Sequence, residues 1–246
     1  MNLKRNTAVV LVALSLSNSS VLSKAAAPPV VHEGQSYSNL SGKVVLDNER
    51  VTVRAFTLPP GQTTGSHTHH DPQLLVFVKG GVLKSESTGR AVLWRDGRII
   101  WLDPSQRADD SNRNISQTAI KFVEVTLKPV VRAGSGDKPR SGYLSYPNVP
   151  TEDILENDHV IVQRFQLNPG QWEGVHAHNA NTLYIFVKGG TGGHWLSRTT
   201  NPPLKESGYS PDGDVGWMPA IDIRAGHESS NTGTSPSDVI WIALKD

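Results

Sequence analysis

Residues 51–81 read VTVRAFTLPPGQTTGSHTHHDPQLLVFVKGG, and residues 160–190 read VIVQRFQLNPGQWEGVHAHNANTLYIFVKGG. The two stretches align without a gap at an offset of 109, and 16 of the 31 positions are identical. Chance pairing at average residue usage gives roughly two identities, so the chain contains a duplication. The match continues more faintly. Asp96-Gly97 with Trp101 matches Asp212-Gly213 with Trp217, 116 residues on. Arg107-Ala108 and Asn114 match Arg224-Ala225 and Asn231, 117 residues on, and Leu127-Lys128 matches Leu244-Lys245 at the end. Each copy spans about 80–100 residues, a size that folds alone only by burying most of its apolar surface in one core.

Inside each copy the pattern is β. Val51, Val53, Ala55 and Thr57 alternate with Thr52, Arg54, Phe56 and Leu58, the period-2 signature of a strand. LLVFVK (74–79) and LYIFVK (183–188) are short, β-branched and aromatic, and each runs into Gly-Gly, which reads as a strand and then a turn. Pro-Pro-Gly (59–61) and Asn-Pro-Gly (168–170) are turn signals. Asp96-Gly97 and Asp212-Gly213 read as hairpin turns, and residues 122–127 and 239–244 as closing strands. Many short strands at close spacing, with no helical periodicity after the N-terminus, predict a barrel or jelly roll that hides its edges by closure.

The flanks set the rest of the organisation. Lys4 and Arg5 precede an apolar run, AVVLVALSL (8–16), and small residues ending in Ala25-Ala26-Ala27. That order reads as a signal peptide over residues 1–27 and predicts a periplasmic or secreted protein. The run is shorter than the ~20 residues a membrane-spanning helix needs, and no other segment approaches that length, so no membrane span is expected. A first domain is expected over 28–130, a Gly/Pro/Ser-rich linker over 131–150 and a second domain over 151–246. The 246-residue chain has 24 Lys and Arg against 23 Asp and Glu. A balanced charge without a basic run argues against a nucleic-acid surface. The absence of cysteine excludes disulfides, thiolate zinc sites and cysteine nucleophiles.

The spacing of glycine and histidine resembles the first motif of the cupin superfamily: Gly, five residues, His-x-His, three or four residues, Glu, six residues, Gly. Gly61, His67, His69 and Gly80 fit it in the first copy, and Gly170, His176, His178 and Gly189 in the second. Pro219, His227 and Asn231 resemble the end of the second cupin motif, with Trp217 and Asp212-Gly213 before it. The resemblance covers nearly all of the chain beyond the signal. It implies an all-β protein of two double-stranded β-helix, jelly-roll barrels: a bicupin. Both copies depart from the motif. Gln73 and Thr182 stand where it has Glu, and Asp110 stands where the late His of the first copy would be.

Residues i and i+2 of a strand share a face, so each His-x-His pair points one way and can begin a metal site. In the second copy His176, His178 and His227 would form a three-imidazole face, open to water or substrate, for a divalent ion that acts as a Lewis acid. In the first copy His67, His69 and Asp110 would form a weaker set, with Asp109 an equal contender for the carboxylate. Fe, Mn, Zn, Ni or Cu would suit such ligands. The alternative is that the histidines merely line an apolar pocket. Glu173 reads as a surface-loop residue, or as a general base if it turns inward. Trp172, Tyr184, Phe186, Trp195 and Trp217 line a pocket or fill the core. Arg107 and Arg224 suggest a carboxylate contact or a shared salt bridge, and residues 199–211 a pocket rim or an insertion. The expected partner is a small polar organic molecule, bound or transformed by dioxygenase- or isomerase-type chemistry. A metal-free ligand-binding or structural barrel is the rival, and a homo-oligomer is left open.

Overall fold

The computed structural model describes residues 37–245 apart from 68, 105–110, 130–144, 179, 190–193, 200–204 and 221–225. The expected signal peptide and most of the expected linker therefore lie outside the described residues, as do Asp109, Asp110, Arg107 and Arg224. The first copy forms β1 (Lys43–Asp47), β2 (Val51–Leu58), β3 (Gln73–Lys79), β4 (Gly81–Ser85), β5 (Ala91–Trp94), β6 (Ile99–Leu102), β7 (Asn112–Asn114) and β8 (Ile120–Leu127). The second forms β9 (Glu152–Glu156), β10 (Val160–Leu167), β11 (Thr182–Lys188), β12 (His194–Thr199), β13 (Lys205–Tyr209), β14 (Val215–Met218), β15 (His227–Asn231) and β16 (Ser237–Leu244). No helix occurs among the described residues, hence none long and apolar enough to cross a membrane.

The copies share one topology. A five-stranded sheet runs β1-β2-β8-β3-β6 in the first and β9-β10-β16-β11-β14 in the second. A three-stranded sheet runs β5-β4-β7 in the first and β13-β12-β15 in the second. All pairings are antiparallel, and the registers correspond: Phe56 faces Phe122 across β2 and β8, as Phe165 faces Val239 across β10 and β16. These two-sheet units are the expected jelly rolls. One local expectation is corrected. Gly97 and Gly213 do take positive φ in turns, but the strands on either side belong to different sheets, since β5 pairs with β4 and β6 with β3. The Asp-Gly turns are corners between sheets rather than hairpins. Their aspartates hold the corner: Gly80 N–H donates to Asp96 Oδ1 at 2.8 Å, and Gly189 N–H to Asp212 Oδ1 at 2.9 Å.

The inner strands of each five-stranded sheet are buried on both faces, which explains why 74–79 and 239–244 read as nearly continuous apolar runs. One face looks into its own barrel. The other packs against the second barrel: Val51, Val53, Leu74, Val76 and Val125 share a cluster with Val162, Leu183, Ile185, Ile240 and Ile242. Each such side chain, fully buried, contributes about 1.5–3 kcal/mol. The barrels are thus joined through a dry core.

The duplication also reaches upstream of the stretch legible in sequence. Tyr37 and Leu40 pack into the first barrel as Tyr146 and Val149 pack into the second, at the same offset of 109. Asn39 N–H donates to Thr64 O, and Asn148 N–H to Glu173 O. The last residues of the expected linker therefore pack into the second barrel.

Candidate metal centre

His176 and His227 face each other across a β-bridge, each N–H donating to the other's carbonyl at 2.9 and 3.0 Å. Directly opposed residues of an antiparallel pair project to one side, and His178, two residues on, joins them. The result is a tight convergence: His178 Nε2 lies 2.8 Å from both His176 Nε2 and His227 Nε2. A ligand nitrogen from each of the three lies within 4.8 Å of the others, and all three residues are buried. His176 Nδ1 lies 2.8 Å from Gly174 O. Donating there fixes the ring so that Nε2 carries the lone pair. Gly174 has φ +87, a conformation natural to glycine, and this turn aims its carbonyl at the ring.

Burial strongly disfavours protonation of this cluster. It lowers His176, and it lowers His178 to about 2 with help from the neighbouring His227 and His176. His227 is lowered to about 4 by burial and then by His176. Three neutral imidazoles with one His178 Nε2 proton at most cannot satisfy both 2.8 Å contacts, because a single N–H donates to one partner. His178 Nδ1 is buried without a hydrogen-bond partner. A cation between the three nitrogens removes the conflict. Two ligands at right angles, with metal–nitrogen bonds of roughly 2.0–2.1 Å, sit about 2.9 Å apart, close to what is seen. The donor set fits a divalent transition metal.

Glu173 is not a surface-loop residue. The residue is 4% exposed, its Oε1 accepts the Ser229 N–H at 2.7 Å, and that oxygen lies 3.8 Å from His176 Nε2. Burial raises its carboxyl to about 8. With His176 kept neutral, the contact joins two uncharged groups rather than an ion pair. Thr182, at the motif's Glu position, is fully buried and donates its hydroxyl to Met218 O at 3.1 Å.

Beside the imidazoles lies a cavity of about 290 Å³. His178, His227 and Glu173 are among its walls, and the rings of Phe165, Tyr184, Phe186, Trp195, Trp217 and Trp241 supply much of the rest. Four of the aromatics singled out in the sequence thus line it. Trp172 does not: it stacks under Arg198, the guanidinium 4.1 Å from the ring centre. The sequence reading overlooked Tyr146 and Trp241. Tyr146 stands 4.5 Å from His176, ring to ring, and Trp241 4.7 Å from His178, edge to face. Tyr146 was visible as the partner of Tyr37 at the repeat's own offset. Trp241 carried no such signal, because the first copy has Glu124 there.

The first barrel keeps the frame and fills it differently. His67 Nδ1 lies 3.0 Å from Gly65 O, repeating the His176 arrangement. His69 Nδ1 lies 2.6 Å from Gln73 Oε1, so the side chain at the motif's Glu position is occupied with the histidine. The two rings meet edge to face at 4.9 Å. No third ligand joins them among the described residues. Phe122 stacks on Phe56 at 5.0 Å, and Trp94 on Phe77 at 5.2 Å. Val239 replaces Phe122 in the second barrel, and Ser210 replaces Trp94. Val239 is among the residues that line the cavity.

No protein-family model and no curated protein sequence matches the chain. Solved structures do. Bacillus subtilis oxalate decarboxylase, a protein with Mn(II) centres, aligns over 87% of this chain and 77% of its own at 13% identity and a TM-score of 0.54. AerE from Microcystis aeruginosa aligns over 85% and 99% at 12% identity and a TM-score of 0.53. This chain has the bicupin fold. A cupin 2 conserved barrel domain protein from Leptotrichia buccalis also aligns, over 85% of this chain and 90% of its own, at 10% identity and a TM-score of 0.47. At such identities the bicupin likeness speaks for the fold, and the chemistry must be argued from the second barrel itself.

Proposed function

We propose that this protein is an exported bicupin whose second barrel holds one divalent transition metal on His176, His178 and His227 and offers it to a small organic molecule in the adjoining cavity. The observation that carries the reading is the 2.8 Å convergence of three neutral imidazole nitrogens beside that cavity. A metal so held would supply Lewis-acid or redox chemistry. The chain's own residues supply the rest. Gly174 orients His176, Tyr146 and Trp241 pack the rings of His176 and His178, and the aromatic walls exclude water and bind an apolar body. The cavity lining is more apolar than the polar ligand expected from sequence, so the ligand is a molecule with an apolar body and a metal-binding oxygen group. The first barrel, with its interior filled by stacked rings, is the stabilising partner.

The test is metal content. Mature protein purified without chelator or nickel resin should carry about one equivalent of one metal per chain. A His176→Ala/His227→Ala variant should carry none. Metal retained by the variant would move the site to the first barrel. No metal in the wild type after reconstitution would leave a metal-free binding barrel.

A further inference from the structure

The first copy holds Thr64 where the second holds Glu173. The equivalence is structural as well as sequential: Thr64 N–H donates to Asn112 O as Glu173 N–H donates to Ser229 O. Thr64 Oγ1 accepts the Asn112 N–H at 2.9 Å, and Glu173 Oε1 accepts the Ser229 N–H at 2.7 Å. The anchoring duty therefore needs only a hydroxyl. In the second barrel it is done by a carboxyl group on a residue buried to 4% exposure, 3.8 Å from an imidazole nitrogen of the triad. A buried carboxylate is costly unless a positive charge accompanies it. The charged group that bears on it, Glu228, is itself acidic and is already bound by Arg198 at 2.6 Å. The motif's own carboxylate position cannot help, because Thr182 is committed to Met218 O.

We propose that Glu173 supplies the balancing negative charge of the metal centre from just outside the three-histidine donor set, nine residues before the position where the motif carries its Glu. The inference rests on the three-histidine reading above. Three neutral imidazoles leave the full charge of a divalent ion uncompensated. One carboxylate close beside them halves it, which tightens binding of the ion. The same ion supplies the positive charge that the buried carboxylate lacks.

The experiment compares metal-stripped wild type with Glu173→Gln and Glu173→Thr, the latter carrying the residue that the first barrel uses at this position. Mn(II) and Zn(II) affinities are read by chelator competition, and the Mn(II) line shape by EPR. Circular dichroism of the metal-free chains checks folding. Both variants should fold as the wild type does, bind either metal about 10- to 100-fold more weakly, and show an altered Mn(II) spectrum. Wild-type affinity and spectrum in both folded variants would overturn the role of Glu173. That outcome is distinct from failure of the three-histidine reading, in which the wild type itself would bind neither metal.

Discussion

Trp241 and Glu124 occupy one position in the two copies, opposite Gln163 and Arg54 respectively. The tryptophan packs edge to face on the ring of His178, whereas the glutamate is buried at 1% exposure with neither carboxylate oxygen in a well-formed hydrogen bond. Burial lifts Glu124 to about 7, against smaller lowering effects from the facing Tyr37 hydroxyl and Arg54. The folded chain therefore holds this proton longer than the unfolded one. The stability Glu124 contributes is fully present below about pH 4.5 and is lost as pH rises through about 7. Glu173, raised to about 8, acts in the same direction. The lowered imidazoles act in the opposite one: below about pH 6.5 the unfolded chain takes up protons that His178 and His227 refuse, so stability falls toward acid. The metal-free protein should be most stable near pH 6–7. Glu124→Gln should remove much of the loss between pH 5 and 8.5, on the order of 2–3 kcal/mol by urea unfolding at the two pH values; an unchanged loss would contradict this. The histidine pairs were legible in sequence because strand period fixes their common direction. The burial of Glu173 was not, since it depends on Ser229 and on a bridge to a strand some 50 residues away.

At the scale of elements, the repeated asparagines show what the late motif does apart from metal. Asn231 Nδ2 donates to Leu167 O and Ser235 O at 2.9 and 2.8 Å, and its Oδ1 accepts Gly233 N–H at 2.8 Å. Asn114 makes the same three bonds with Leu58, Thr118 and Ser116. Each ties the end of one strand to the loop leaving another. Asn231→Ala should cost about 2–4 kcal/mol, since it strands one buried and two part-buried backbone groups, and Asn114→Ala should cost a similar amount; denaturant midpoints of the two variants would show it. Gly80 and Gly189 are fixed for a different reason: an added Cβ would meet the Trp94 or Ser210 carbonyl oxygen at 1.9 Å. Strand existence was readable from alternation and turn residues. Strand partnership was not. Asp-Gly predicts a turn, but whether the strands beside it pair depends on how the two sheets fold over one another.

For the whole molecule, duplication and the glycine–histidine spacing made the two barrels legible, while their mode of association was not. A strand apolar on both faces looks the same whether its second face meets a helix, a sheet or another barrel. Here it meets the other barrel, so the halves should behave as one unit. Ile240→Asp, at a fully buried position of the shared core, should destabilise the chain by more than about 3 kcal/mol and lower the unfolding midpoint of both barrels together. Two separate transitions, one unmoved, would contradict a shared core. The difference between the barrels lies in a few interior side chains: Val239 lines the cavity of the second where Phe122 stacks on Phe56 in the first, and His227 completes the triad. The most direct test of that asymmetry is anomalous X-ray diffraction from crystals of the Mn(II)- or Zn(II)-loaded protein. One peak per chain is expected, within bonding distance of His176, His178 and His227. A peak beside His67 and His69, with none between the three second-barrel nitrogens, would contradict it.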